Sequence, residues 1–302
     1  MPAAPREAPR PALVSPALVP ISELPPAQRE LLEAYGRGGA DWESARARAR
    51  ADPALARFLV DNLVLEMARA HRALSGPEPE RGRAACERAQ EELARVHGHA
   101  LPVLVQVLGV PDSILATLAH QTLQRIGRPA NAALLAALED PSPRLRQRAA
   151  AALADLPHDG PGEAALEARL AALAHGDPEW WVRAQAALAL GARGARSRET
   201  TPPRRALEEA LSDSDVAVAE SAAAALAQLE DPRAVPALIR CLARGVQAGE
   251  LRLVRASTRA LQSVSGVREE LDLEEWRAWW DGHRRELEQR ASAPRASRGE
   301  PR

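Results

Sequence analysis

Of the seven histidines in this chain, only His97-Gly98-His99, with His120 and Cys86 further off, has the residue types of a metal site. Zinc asks for three or four such ligands at short, fixed spacings of the C-x2-C or H-E-x-x-H kind. Those spacings are absent, so the expectation is no metal and no cofactor. Nucleophile and phosphate chemistry are equally unsupported, because the chain has no G-x-S-x-G, no P-loop and no G-x-G-x-x-G. Carboxylates are plentiful, but no pair stands out for acid–base work. No residue is assigned a catalytic role.

Residues suited to gripping a partner are easier to find. Trp180-Trp181 offers two large amphipathic rings, and an exposed tryptophan is a strong anchor. Arg144, Arg146 and Arg148 form a local basic patch that Arg252 and Arg255 extend, and Arg193, Arg196, Arg198, Arg204 and Arg205 crowd a later stretch. Planar guanidinium groups suit carboxylates and phosphates. Of the C-terminal trio Trp276, Trp279 and Trp280, Trp279 is expected to protrude. The candidate partner-binding residues are therefore Trp180, Trp181, Arg144, Arg148 and Trp279.

The elements that must carry these residues are helical. The 302 residues are 46% hydrophobic yet only 3% aromatic. Alanine and leucine do the burying, which suits closely packed helices and not sheets. One phrase, Asp-x4-(Val/Leu)-Arg-x2-Ala-Ala-x-Ala-Leu, starts at Asp140, Asp177 and Asp213, 37 and 36 residues apart. In the third copy Ala219 replaces the arginine. A fixed period of this length marks a stacked repeat whose units bury their apolar faces only against each other.

Each unit reads as an A helix opened by proline and a B helix introduced by an acidic turn. The A helices are expected at 102–109, 130–138, 163–174, 203–211 and 233–243, with Pro102, Pro129, Pro161, Pro203 and Pro232 at or just before their starts. The B helices follow at about 113–126, 142–155, 178–190, 214–229 and 250–264. Ahead of them, 23–98 reads as a helical cap in which Asp41 caps a short helix and Asp52-Pro53 opens a long one. Leu273, Trp276, Trp280 and Leu287 share one face of a capping helix over 271–290. The proline-rich stretch 1–22 reads as a disordered arm and 291–302 as a loose tail. No stretch approaches the roughly 18 apolar residues of a membrane span, and the arm lacks a signal-peptide core. Cys86 and Cys241 read as buried thiols in a reducing compartment, and the expected setting is cytoplasmic.

The paired helices, the Asp with Arg six positions on, and the Ala-Ala-x-Ala-Leu ending resemble HEAT repeats, most closely the short bacterial form of the phycobilisome (bilin) lyases. The resemblance covers five units over about 99–270. It implies an all-α, right-handed α-solenoid of HEAT-like helix pairs, with a helical N-terminal cap and a Trp-rich C-terminal capping helix. It also implies a ladder of Asp140, Arg146, Asp177, Arg183 and Asp213 linking successive units, with Arg255 at the arginine position of the last unit. Ala219 and Gly249 interrupt that ladder. In such a solenoid the B helices line the concave surface.

The function expected on these grounds is a non-enzymatic scaffold working as a monomer: a segment of an unidentified protein partner lies along the concave B-helix face. One alternative is nucleic-acid binding, by likeness to HEAT-like alkylpurine DNA glycosylases that hold DNA in an arginine-lined groove. The net charge of −1 argues against it. The other is a lyase-type accessory role, which rests on the family label alone.

Overall fold

The computed structural model describes residues 20–157, 162–197 and 201–292, and every regular element among them is helical. The chain divides between Val103 and Leu104 into two units. The break falls a few residues after the expected boundary at 98, inside a helix.

The N-terminal unit holds α1 (Pro26–Arg37), α2 (Gly39–Ala51), α3 (Pro53–Ala73) and α4 (Pro79–Arg95), followed by α5 (His97–Leu108), which runs across the division. Gly38, at φ 72°, ends α1 and lets α2 begin at the next residue. Asp41 therefore lies inside the first turn of α2, where it pairs with Arg37 at 3.1 Å, and it is not the cap expected of it. Asp52 does cap α3, accepting the Ala54 and Leu55 amides at 2.9 and 3.2 Å. The buried faces are Leu31, Ala34 and Tyr35 of α1, Trp42, Ala45 and Ala49 of α2, Leu59, Leu63 and Met67 of α3, and Ala89 and Leu93 of α4. Leu55, Phe58 and Leu74 are only half-buried.

Pro102 also departs from expectation. It sits within α5, because the chain turns tightly at Val96 and resumes helix at His97. The Val96 carbonyl takes the His99 and Ala100 amides at 2.9 and 3.1 Å, which makes that turn possible without glycine.

The C-terminal unit continues with α6 (Ser113–Ile126), α7 (Ala130–Ala137), α8 (Pro143–Asp155), α9 (Glu163–Gly176), α10 (Trp180–Gly194), α11 (Thr201–Ala210), α12 (Val216–Leu229), α13 (Val235–Ala248), α14 (Leu251–Ser265) and α15 (Leu273–Ser292). This is an α-solenoid of helix pairs. A short 3-10 turn, Pro232–Ala234, leads into α13. The B helices α8, α10, α12 and α14 pack side by side in one layer, and α9 and α11 pack together in the other. Ala186, Ala187 and Ala189 of α10 and Ala222, Ala223 and Ala225 of α12 are all buried, so small side chains set the spacing within the B layer. Leu166, Leu170, Leu207, Leu238 and Leu242 fill the space beneath the A helices. The end is covered by α15, which packs on α13 and the 3-10 turn and buries Trp276 and Leu287. Leu273 and Trp280, expected on the same face, are half-buried.

The arm expected over 1–22 lies outside the described residues as far as residue 19. Ile21–Glu23 form a 3-10 turn whose neighbours Ser22 and Leu24 offer carbonyls to Arg29 at 2.9 and 3.1 Å. Most of the tail, from residue 293, is likewise outside, as are His158, Pro161 and Arg198. Among the described residues no helix is long and apolar enough to cross a membrane.

Candidate partner-binding face of the C-terminal unit

The repeat's charged residues are joined from one pair to the next. Arg146 on α8 makes a two-point contact with Asp177, Nε to Oδ2 at 2.7 Å and Nη2 to Oδ1 at 2.9 Å. Arg183 on α10 repeats the arrangement with Asp213 at the same two distances. Each arginine also donates Nη1 backward, Arg146 to the Asp140 carbonyl at 3.0 Å and Arg183 to the Asp177 carbonyl at 2.8 Å. Each aspartate accepts the amide two residues on: Asp140 from Ser142, Asp177 from Glu179 and Asp213 from Asp215. The aspartates thus brace the turn ahead of the B helix. The cap positions themselves fall to Ser142, Glu179 and Asp215. Bidentate pairs of this kind are strong because two parallel bonds share one geometry.

Beyond Asp213 the ladder stops. Ala219 is buried in α12 and offers no donor. Arg244 donates to the Asp213 carbonyl at 3.2 Å. Arg255, assigned to the ladder on its position in the repeat, is exposed on α14 and makes no ion pair among the described residues. With glycine at 249, the ladder position before α14 has no carboxylate to receive a guanidinium.

Burial pushes the Asp213 carboxyl up. The Arg183 hydrogen bond and charge and the Asp215 amide outweigh that effect and hold it below its ordinary 3.8. A carboxyl lowered in the folded state stabilises above its unfolded pKa, and that stability is lost as pH falls through the lower folded value. Unfolding monitored against pH is therefore expected to show stability falling below pH 3.8. The Asp213→Asn variant should lose part of this acid dependence, and an unchanged profile would remove Asp213 from the account.

The basic patch dissolves on inspection. Of Arg144, Arg146 and Arg148, the middle one is neutralised by Asp177. Arg148 is half-buried, with Nη1 donating to the Leu108 and Val110 carbonyls at 2.6 Å each. Only Arg144 is exposed. The second cluster behaves similarly. Arg193 is fully buried, bound to the Leu153 carbonyl at 2.6 Å and to Glu163. Arg196 reaches the Ala154 and Leu156 carbonyls at 2.5 and 3.3 Å. Arg204 lies between Glu208 and Asp231, and Arg205 is exposed. Arg148, Arg193 and Arg196 thus satisfy carbonyls left open at or just past helix C-termini, a job suited to a cation. Arg252 on α14 pairs with Glu220 on α12 at 2.5 Å.

The tryptophan pair splits. Trp180 begins α10 and is 47% exposed, whereas Trp181 is half-buried and donates Nε1 to Glu179 at 3.2 Å. Trp279 does not stand clear as expected. It is half-buried, edge-on to Trp276 at 5.7 Å and stacked on His283 at 4.7 Å, so the capping helix uses it for its own packing.

The histidines scatter among separate partners. His97 faces the Ala94 carbonyl at 3.2 Å, and His99 faces the Arg50 carbonyl at 3.2 Å. His120 joins Asp155 at 2.8 Å, linking α6 to α8. Cys86 is buried. Among the described residues no group of three or more His, Cys, Asp or Glu could hold a metal. Sequence reasoning missed the His120–Asp155 pair and a pocket of about 360 Å³ beside it. No local spacing signals two residues 35 apart.

The family comparison agrees with this geometry. A family model described as HEAT repeats matches residues 166–262. Among solved structures, the crystal structure of an engineered protein is 21% identical with a TM-score of 0.39, over 66% of this chain and 96% of that one. No curated protein matches the chain. The stacked helix pairs of the C-terminal unit and the matched segment 166–262, which contains the Arg183–Asp213 rung, show that this chain carries HEAT repeats.

Proposed function

We propose that the chain is a non-enzymatic scaffold that holds a segment of a protein partner along the layer formed by α6, α8, α10, α12 and α14, with Trp180 as the central anchor. HEAT repeats commonly serve as protein-interaction scaffolds. The observation that carries the reading is an indole ring left 47% exposed at the start of α10, the one aromatic among the large apolar side chains exposed in the described residues, the others being Ile21, Ile114, Val246 and Leu251. Small residues draw the B helices together, and the likeness to HEAT repeats implies that this layer lines the concave side. A concave layer suits an extended or helical segment laid across it. Nucleic-acid binding has less support, since two of the three arginines it would use are engaged inside the fold. Cys86 and Cys241 are buried and form no disulfide, in keeping with a reducing setting such as the cytoplasm.

Substituting Trp180 by alanine is expected to weaken partner binding by roughly 30-fold, the scale of a hot-spot residue. The melting temperature should stay within about a degree or two, because the ring's loss opens no core cavity. Calorimetric titration of a partner recovered by affinity capture reads the first effect, and a thermal scan the second. Unchanged affinity would remove Trp180 as anchor, and the absence of any saturable protein partner would remove the scaffold.

A further inference from the structure

The pocket beside His120 brings polar side chains of α6 together with a guanidinium of α8. It encloses about 360 Å³ and is lined by Ser113, Thr117, His120, Gln121 and Gln124 of α6 and Arg148 of α8, with Leu108 and Ala116 on its floor. Arg148 is held rigidly, since its Nη1 is fixed by the Leu108 and Val110 carbonyls. Its Nε and Nη2 make no hydrogen bond within the described residues, and no carboxylate pairs with it. The two acidic groups nearby are otherwise occupied. Asp112 caps α6 through the Ile114 and Leu115 amides at 3.0 Å each, and Asp155 holds His120. Arg144, exposed on the same helix, adds charge of the same sign. Burial first and the Arg144 charge second press the Arg148 guanidinium down from its ordinary pKa, against a smaller opposing pull from the Asp112 carboxylate.

A half-buried cation paired only with neutral carbonyls is an incomplete arrangement, because its remaining donors gain most from an anion. Amide side chains at the rim supply further donors, and the volume is that of a small ligand site. We infer that this pocket is the subsite for an acidic side chain of the protein segment held along the B layer. The inference rests on the scaffold reading for its occupant. Trp180 lies on the next B helix, so a segment crossing α8 and α10 would place an apolar group on the indole and a carboxylate against Arg148.

The test uses the full chain and two labelled peptides, octaglutamate and octaglutamine, with fluorescence anisotropy at low salt. Octaglutamate is expected to bind and octaglutamine not. Arg148→Gln should weaken binding about tenfold or more, as truncating one side of a charge pair does. Arg148 also ties down two carbonyls, so Gln124→Glu, which sets a negative charge at the exposed rim, provides a second variant with the same expected loss. Arg277→Gln, which removes an exposed charge on α15 that pairs only locally with Glu274, should leave octaglutamate binding unchanged. Absence of binding overturns the inference. So does equal binding by Gln124→Glu, which would trace the attraction to Arg255 and Arg259 on α14. A natural partner lost with Trp180→Ala but indifferent to Gln124→Glu sinks the acidic subsite and leaves the scaffold standing. Octaglutamate held at the pocket with no Trp180-dependent partner does the reverse.

Discussion

Arg193→Ala is expected to be among the most destabilising single substitutions in the C-terminal unit, costing about 3–5 kcal/mol, the range for breaking a buried ion pair from one side. The side chain is fully buried in α10, gives Nη1 to the Leu153 carbonyl at the end of α8, and pairs with Glu163 at the start of α9. One guanidinium thus ties three helices. Truncation would strip the Leu153 carbonyl and Glu163 of a donor and leave a void the length of the arginine stem. Arg193→Met refills that void without the charge and should recover part of the loss. Recovery is plausible on physical grounds because Nε has no partner even in the native fold, so the arginine is itself incompletely satisfied. Urea denaturation of the three proteins measures the effect. A loss under about 1 kcal/mol for alanine would show that the tie is dispensable.

Gly191→Ala should be costly for the opposite reason. Gly191 stands where α10 crosses α12, and an added Cβ would lie 2.5 Å from the Ala225 Cβ and 2.7 Å from its Cα. Neither obstacle is the tip of a flexible side chain, so the two helices must move apart. Overpacking of this kind costs about 1–3 kcal/mol, and a backbone-borne clash belongs at the upper end. Displacing α12 would also pull Asp213 away from Arg183, which couples the packing change to the ladder. Gly176 is the internal control: it closes α9 with nothing within 4 Å of an added Cβ. Gly176→Ala should be close to neutral or slightly stabilising, by up to about 0.5–1 kcal/mol, since alanine loses less backbone entropy. Matched thermal melts of the two variants decide the matter. Equal melting temperatures would mean that α10 and α12 have slack that their Cα spacing denies.

Much of the architecture is legible in the chain. The recurring aspartates locate the turns, and the Ala-Ala-x-Ala-Leu endings place small residues where B helices meet, because that contact recurs at every step of the stack. Asp52 announces α3 through local capping chemistry, and Asp41 misleads because the Gly38 break had already started α2 two residues earlier. The candidate site was harder to read. Arg144 and Arg148 are one helical turn apart and face similar directions, yet one is exposed and the other is held by α5 carbonyls. Trp180 and Trp181 are adjacent, and only the point at which α10 begins determines which ring is exposed. Trp279 lies off the face shared by Leu273, Trp276, Trp280 and Leu287 and was expected outside, but His283, one turn on, covers it.

Helix content and repeat phase were contained in the amino-acid order, since each follows from spacing along the chain or from identity between copies; the ladder of aspartates and arginines was implied only by the resemblance to HEAT repeats. Which guanidiniums are neutralised, which indole meets solvent and where a cavity opens belonged to the tertiary structure alone. Those properties depend on atoms contributed by helices 30 to 40 positions away, such as the Leu108 carbonyl above Arg148 and the Leu153 carbonyl above Arg193. A side chain's charge and size travel with its residue, but its desolvation and its partners are set by whatever the stack brings opposite it.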